Sequence, residues 1–465
     1  MTLTEEIKIV INKRSDRVPE AELQHLSKED LIEKVIQLQS HNFQLRNLLR
    51  KKIEEECGPK ESKSQSVSKE QPTTAKHQKK LDSLKNAPRR HILLKLLYFG
   101  WDYNGFASQE NSGATIEEHL FRALTRTCLI ESRQSANYHR CGRTDKGVSA
   151  FSQVISLNVR SKFPKTEQLN EENISKEIDY CTILNGVLPK NIQCLSWMPL
   201  KNPSYSARFD CVQRTYRYFF PKGNLNIEAM RKGCKHLIGS KDFRNLCKMD
   251  VHNGVTKFIR HVKSADVLPC QDQSLTLNSG FNMFYFEITA NAFLWHQIRC
   301  ILAVLLLIGQ EKEEPSVLED LLNVEKNPCK PQYTPALGLP LNLYDCQFRK
   351  KSSEAKEYVE DTGQEEDSNP DTTEWVFSES NMIKVVETLQ GEWAENSMKA
   401  TMVREVLHSL ETMSGVKSET QYNIVHEEST RKRGYQKLLT RKRCESLDNR
   451  IDHFIKKKRI TVAQS

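Results

Sequence analysis

Leu31, Val35, Leu38, Asn42, Leu45 and Leu49 follow alternating spacings of four and three. That rhythm keeps one stripe of a helix facing a partner and predicts an a/d seam of about three heptads. Ser27 offers an N-cap and Asp30 a negative charge in the first turn. Asn42 takes an a position, and a lone Asn there fixes a two-stranded register. Residues 1–56 therefore read as a coiled-coil helix that pairs two copies; the plainer reading is an amphipathic helix packed on its own chain. Large apolar residues then nearly vanish. The segment 57–90, with its GPKESKSQSVSKEQPTTAKHQKK stretch, cannot bury enough surface to order itself and is expected to be a disordered linker.

Periodic apolar patterning returns at residue 91. HILLKLLYFG reads as a strand ended by Gly100. Thr115 and Glu118 form a capping box before a helix carrying Ile116, Leu120, Leu124 and Cys128. VISLNVRS, RTYRYFF and FYFEITANAF read as strands, a helix runs through His296 to Gly309, and a short one covers Ser316 to Leu322. Strands and helices without regular βαβ alternation predict an α+β domain over 91–350 with a largely antiparallel sheet. An acidic linker is expected over 351–379. A helix from about Ser380 to Met413 follows, then a basic tail containing RKRGYQKLLTRKR and KKKR within 380–465. The tail is either a solvated end or a contact for RNA phosphate or nuclear import.

The longest apolar run, Ile301 to Ile308, is too short to span a bilayer and reads as a buried helix, so no membrane association is expected. MTLTEEIKIV lacks the charged and apolar regions of a secretory signal. The 13 cysteines are irregularly spaced with no CxxC pair, so no zinc site is visible and a reducing compartment, cytoplasm and nucleus, is expected. Net charge is +9, from 69 Lys and Arg against 60 Asp and Glu, which favours a polyanionic partner without identifying one.

Candidate chemistry concentrates in YHRCGRTDKGVSAFSQVISLNVRS. Arg143, Thr144, Asp145 and Lys146 form a polar loop flanked by Gly142 and Gly147, which allow a sharp turn and close approach of a ligand. Arg143, two residues from Asp145, is expected to hold that carboxylate ionised by depressing its pKa, as an attacking carboxylate requires. The same residues also suit an ordinary Asp turn with an incidental surface Arg.

GRTDKGVSAF resembles the active-site motif of the TruA family of pseudouridine synthases, in the form of its eukaryotic members; bacterial members carry Ala and His in place of Lys146 and Ser149. The likeness continues in order through YNGFASQE, YSARFDCVQRTYRYFF, NAFLWHQIRC and LGLPLNLYDC. It covers about residues 91–350. The segments SQE, LCKMDV, WHQIRC, LPLNLYDC and LLTRKRCESLDNRI are most like the eukaryotic branch that acts on uridines 38 and 39 of the tRNA anticodon arm.

The resemblance implies a pseudouridine synthase fold: two subdomains, about 91–205 and 206–350, share a mixed sheet with flanking helices and a central cleft. It implies tRNA as partner and no cofactor, because the isomerisation needs neither redox change nor group donor; the homodimer is expected from the heptad of residues 1–56. Residue by residue it implies Asp145 as nucleophile, Arg299 as its buried partner, and Arg143 as a phosphate contact holding the flipped state. Tyr216 would stack on uracil with its hydroxyl relaying the C5 proton, and Leu339 would form the apolar wall. Lys146, Arg208, Arg214 and Arg217 are candidate RNA contacts, whereas His139 and His296 read as structural. Alternatives are a synthase of the same type with broader tRNA or messenger RNA targets, a catalytically inactive RNA-binding protein, and a basic scaffold built on the coiled coil.

Overall fold

The computed structural model describes residues 87–109, 113–251, 255–270, 280–349, 374–415 and 434–458. The expected coiled coil, most of the 57–90 linker and most of the acidic linker lie outside the described residues. All described residues belong to one compact unit, Thr73–Ser465.

Nine strands make one sheet: β1 Arg89–Tyr98, β2 His139–Arg140, β3 Ser149–Arg160, β4 Ile192–Pro199, β5 Cys211–Pro221, β6 Gly239–Asp242, β7 Ile259–Pro269, β8 Met283–Ala290 and β9 Leu341–Phe348. Their order is β4-β1-β3-β9-β5-β8-β7-β6, with β2 paired to β3. Among the described residues every pair is antiparallel except β3 with β9. The mixed, mostly antiparallel α+β architecture is therefore present. β9 decides the topology. Among the described residues it is the last strand in sequence, yet it lies between β3 and β5 and makes the sheet continuous across the two halves of the domain.

β1 is apolar on both faces because neighbouring strands flank it and both faces are covered; Ile92, Leu93, Leu94 and Leu96 are fully buried. Helix α1 (Ile116–Arg126) starts where the capping pattern placed it, with Thr115 accepting from the Glu118 amide at 3.4 Å. Two short helices, α2 (Glu171–Ser175) and α3 (Tyr180–Asn185), lead into β4. α4 (Ile227–Lys235) packs on α5 (Gln297–Gly309). α5 is apolar all round, and twelve of its residues are buried. α6 (Val317–Leu322) follows. The long α7 (Glu379–Ser414) docks by its first turns, where Val385 packs with Leu97 and Leu195 and Asn381 bonds Asn185 and the Cys194 carbonyl, and further along Arg404 lies over the Phe281 ring at 4.7 Å.

Part of the basic tail departs from the solvated expectation. Leu438 is fully buried, and its amide and the Tyr435 hydroxyl both donate to Glu313. Arg443 bonds Asn327 and the carbonyls of Cys329 and Leu439. One buried leucine and paired arginines turn a charged stretch into a strap before α8 (Leu447–Lys458). Among the described residues no helix is long and apolar enough to cross a membrane.

Candidate active site

The loop between β2 and β3 is fixed from both sides by backbone and side-chain bonds. The Phe106 amide donates to Thr144 O at 3.1 Å, the Gly147 amide to Tyr103 O at 3.2 Å, and the Val148 amide closes a turn on Asp145 O at 3.1 Å. The Thr144 hydroxyl meets the buried Tyr98 hydroxyl at 2.7 Å. The Gln153 amide donates to Gly142 O at 3.0 Å and accepts from the Gly142 amide at 3.3 Å. Gly105, at φ +92°, lets the YNGF segment lie against the loop, since a Cβ there would come within 3.0 Å of Thr144 O. YNGFASQE is thus the backing of the Asp145 loop.

So held, Asp145 faces the start of α5. Its Oδ2 lies 3.9 Å from Arg299 Nη1 and 3.4 Å from His296 Nε2. Arg299 is buried, and its Nε donates to Ala336 O at 2.6 Å, which orients the guanidinium. The Trp295 side chain donates a hydrogen bond to the Asp145 carboxylate, and the Lys248 ammonium sits over the Trp295 ring at 4.2 Å. Burial pushes the Asp145 carboxyl above its ordinary pKa; Arg299, the Trp295 bond and Lys248 pull it back without cancelling the effect.

This corrects the expectation that Arg143 depresses the Asp145 pKa. Arg143 is exposed and is not among the groups acting on the carboxylate, and the shift is upward because desolvation outweighs the cations. His296, read from sequence as structural, belongs to the site. Burial and the charges of Arg299, Lys248 and Lys330 lower its pKa to about 4, so it is neutral at physiological pH. Trp295 and Lys248 were also missed; only WHQIRC and LCKMDV hinted at them, and no sequence pattern showed that the two segments meet.

Tyr216 lies on β5 between Ile288 of β8 and Leu343 of β9, is buried, and meets Phe293 edge-on at 5.2 Å. Its hydroxyl borders the loop, 3.8 Å from where a Gly142 Cβ would stand, and burial holds its pKa well above the ordinary phenol value. Leu339 is 58% exposed and its backbone borders Gly147. A Cβ at the preceding Gly338 would strike Lys146 O at 2.8 Å, so the segment before β9 runs hard against the Asp145 loop. Asp145 and Arg299 are in direct contact, and Tyr216 and Leu339 border the same loop.

The other cations separate by environment. Lys146 is exposed, and so is Arg208, which lies over the exposed Phe209 ring at 5.2 Å. Arg214 is committed to structure, bonding Cys141 O at 2.9 Å and Asn291 O at 2.6 Å. Arg217 pairs with Glu287 at 2.6 Å and packs over Tyr344 at 3.5 Å. These two do not offer the open charges expected of phosphate contacts. His139 stands edge-on to Phe209 at 6.0 Å. Glu117, fully buried, receives Arg133, Arg140, Tyr138 and the Ser108 amide, and so ties α1 to β2.

Among the described residues one group could hold a metal ion: Cys141, Cys211 and Cys346, whose sulfurs lie within 4.8 Å of one another. All three are buried, and Cys141 Sγ is 3.3 Å from each of the others. Their distant sequence positions hid this cluster from a spacing search.

A family model described as tRNA pseudouridine synthase matches residues 234–349, which include Arg299 and Leu339. The tRNA pseudouridine(38/39) synthase of Bos taurus is 44% identical over 403 residues, covering 80% of this chain and 78% of that protein. The chain belongs to the tRNA pseudouridine synthase family. The Homo sapiens protein of the same name is 43% identical over the same shares. That of Saccharomyces cerevisiae is 38% identical, covering 69% of this chain and 71% of its own length.

Proposed function

We propose that this chain isomerises uridine to pseudouridine at positions 38 and 39 of the tRNA anticodon arm, the activity in the names of its mammalian and yeast relatives. The observation that carries the reading is one carboxyl group, Asp145, on a loop braced by backbone bonds and set 3.9 Å from the buried Arg299 guanidinium. The reaction breaks the N1–C1′ bond of uridine, turns the uracil and joins C5 to C1′, after which C5 loses its proton. A stacked base exposes none of these atoms, so the nucleotide is flipped into the cleft.

In this reading Asp145 is the nucleophile and Arg299 keeps it charged despite desolvation. Tyr216, whose phenol burial holds well above its ordinary pKa, stacks on the uracil and relays the C5 proton. Leu339, exposed in the free protein, closes over the base as an apolar wall. Exposed Arg143, Lys146 and Arg208 contact phosphate. The two halves of the sheet act as subdomains that hold the cleft between them. Residues 1–56 pair two copies so that one tRNA touches both, and the enzyme acts in cytoplasm and nucleus.

The test is tritium release from C5 of labelled uridine in tRNA by the purified protein. Asp145→Ala should abolish release while tRNA binding stays within a few-fold. Turnover by that variant would end the assignment. Pseudouridine mapping in RNA from cells lacking the protein checks the positions. Light scattering of a chain without residues 1–56 checks the dimer: loss of the dimer with weakened tRNA binding is expected, and a fully active monomer would remove the coiled coil from the account.

A further inference from the structure

Three cysteines far apart in sequence converge at the base of the Asp145 loop. Cys141 follows β2 and directly precedes Gly142, Cys211 opens β5, and Cys346 lies on β9. All three are buried. Cys141 Sγ is 3.3 Å from each of the other two sulfurs, and the three lie within 4.8 Å of one another. Buried thiols commonly serve as small hydrophobes. The cation beside these three sets them apart. Arg214 stands opposite Cys346 in the β5–β9 register and acts directly on the Cys141 sulfur. It donates to the carbonyls of Cys141, Cys211 and Asn291 at 2.9, 3.4 and 2.6 Å. Among the described residues no carboxylate pairs with it; the groups that favour its charge are the three thiols and Tyr216. A guanidinium drawn out of water is stabilised by a negative counter-charge, and here the sulfurs stand where that counter-charge belongs.

We propose that Cys141, Cys211 and Cys346 form a structural site for a zinc ion that pins the base of the Asp145 loop to β5 and β9. Soft thiolates select zinc, which has no geometric preference from its d-electrons and adapts to the positions offered. With Zn–S bonds of about 2.3 Å, a tetrahedral site spaces its sulfurs about 3.8 Å apart, so an ion entering here parts Cys141 Sγ from each neighbour by about half an ångström. Gln213 O lies 3.4 Å from Cys211 Sγ, close to the S···O edge of such a site at about 3.5 Å, and offers the fourth ligand. Binding releases the three thiol protons to solvent. Three thiolates around a divalent cation carry one net negative charge, which the Arg214 guanidinium cancels, so the buried group sums to zero. The ion takes no part in the isomerisation. Cys141 leads into the Asp145 loop, Cys211 into the strand of Tyr216, and Cys346 follows Leu343 on β9, so one ion holds together segments that are distant in sequence.

The test uses the full chain, produced in zinc-supplemented medium and purified without chelator. Elemental analysis should find about one zinc per chain, and less than about a fifth as much in Cys141→Ser, Cys211→Ala and Cys346→Ala. Cys194→Ala removes a buried cysteine outside the cluster and should keep the full complement, which separates this site from adventitious binding by the other thiols. Cobalt(II) exchanged for the zinc should show thiolate-to-cobalt charge-transfer absorption in the near ultraviolet, and each cluster variant should lose it. Stripping the ion should lower Tm, and zinc at about a hundred-fold excess over its Kd should raise it again by roughly 5–10 °C. A wild-type chain that retains no zinc and gives no cobalt–thiolate band overturns the proposal. So does a zinc content unchanged in the cluster variants. If those variants do not fold, the cobalt band and the zinc-dependent melting of the wild-type chain still decide it. None of these measurements needs turnover, so they stand or fall apart from the assignment of Asp145 as nucleophile.

Discussion

Gly105→Ala should slow the enzyme more than it unfolds it, because the atoms an added Cβ would press on are all backbone of the Asp145 loop. Gly105 sits at φ +92°, a conformation that costs a non-glycine residue about 1–2 kcal/mol. An added Cβ would lie 3.0 Å from Thr144 O, 3.3 Å from Asp145 C and 3.3 Å from Lys146 N, all backbone atoms of the loop. Backbone cannot rotate away as a side chain can, so the loop must retreat by a few tenths of an ångström, stretching the Phe106 amide bond to Thr144 O. Strain and the stretched bond together amount to about 2 kcal/mol, which for a unit of this size lowers Tm by roughly 2–4 °C. A 1 Å misplacement of a reacting group costs about 100-fold, so a shift of a few tenths predicts a loss of about five-fold in single-turnover tritium release. tRNA affinity should hold. Gly113→Ala is the matched control, since a Cβ there meets nothing within 4 Å. Calorimetry and the release assay on both variants check the argument. An unchanged rate in Gly105→Ala, or equal losses in the two variants, would refute the claim that this segment positions Asp145.

Other outcomes follow from the same geometry. Arg299→Met removes the largest of the influences that pull the Asp145 pKa back, so the acid limb of the rate should move to higher pH than in the wild type, itself above the ordinary Asp value of about 3.9, as a pH series of tritium release would show. Glu117 lies below its ordinary pKa: burial pushes it up, but bonds from the Ser108 amide and Tyr138 and the Arg140 charge outweigh that. Its stabilising contribution is therefore present above the unfolded pKa of about 4.3 and lost as pH falls through the folded value, and Glu117→Ala should cost about 3–5 kcal/mol at neutral pH by denaturant titration. Arg208→Ala and Lys146→Ala should each flatten the salt dependence of tRNA binding by about one unit of slope, while Arg214→Ala should lower Tm and leave that slope unchanged.

What the chain reveals by inspection depends on how far apart the cooperating residues lie. The α1 start was legible because Thr115 and Glu118 sit within one turn, and α5 because its apolar residues are contiguous. Asp145 was legible because its loop is a short motif between two glycines. The direction of its pKa was not, since desolvation is set by what covers the loop, and the covering segments come from residues 248, 295–299 and 336–339. Arg214 and Arg217 show the same limit in reverse. In RTYRYFF they look alike, yet one points its guanidinium at the Cys141 and Asn291 carbonyls and the other meets Glu287 across β8. Sequence supplies a charge; only the strand register decides whether a carbonyl, a carboxylate or solvent receives it. The placement of β9 makes the general point. Because β9 enters between β3 and β5, the segment before it presses Gly338 against Lys146 O, and the apolar Leu339 is delivered beside Gly147 of a loop nearly two hundred residues upstream. The loop that carries Asp145, the helix that carries Arg299 and the strand that carries Tyr216 thus meet only when the whole sheet has closed. It follows that variants weakening the β3–β9 contact, such as Asn342→Ala, which loses the bond from the Phe151 amide to the Asn342 side chain at 3.0 Å, should reduce the rate by more than their effect on melting predicts. Loss of rate strictly in proportion to loss of folded protein would show instead that the site survives without that closure.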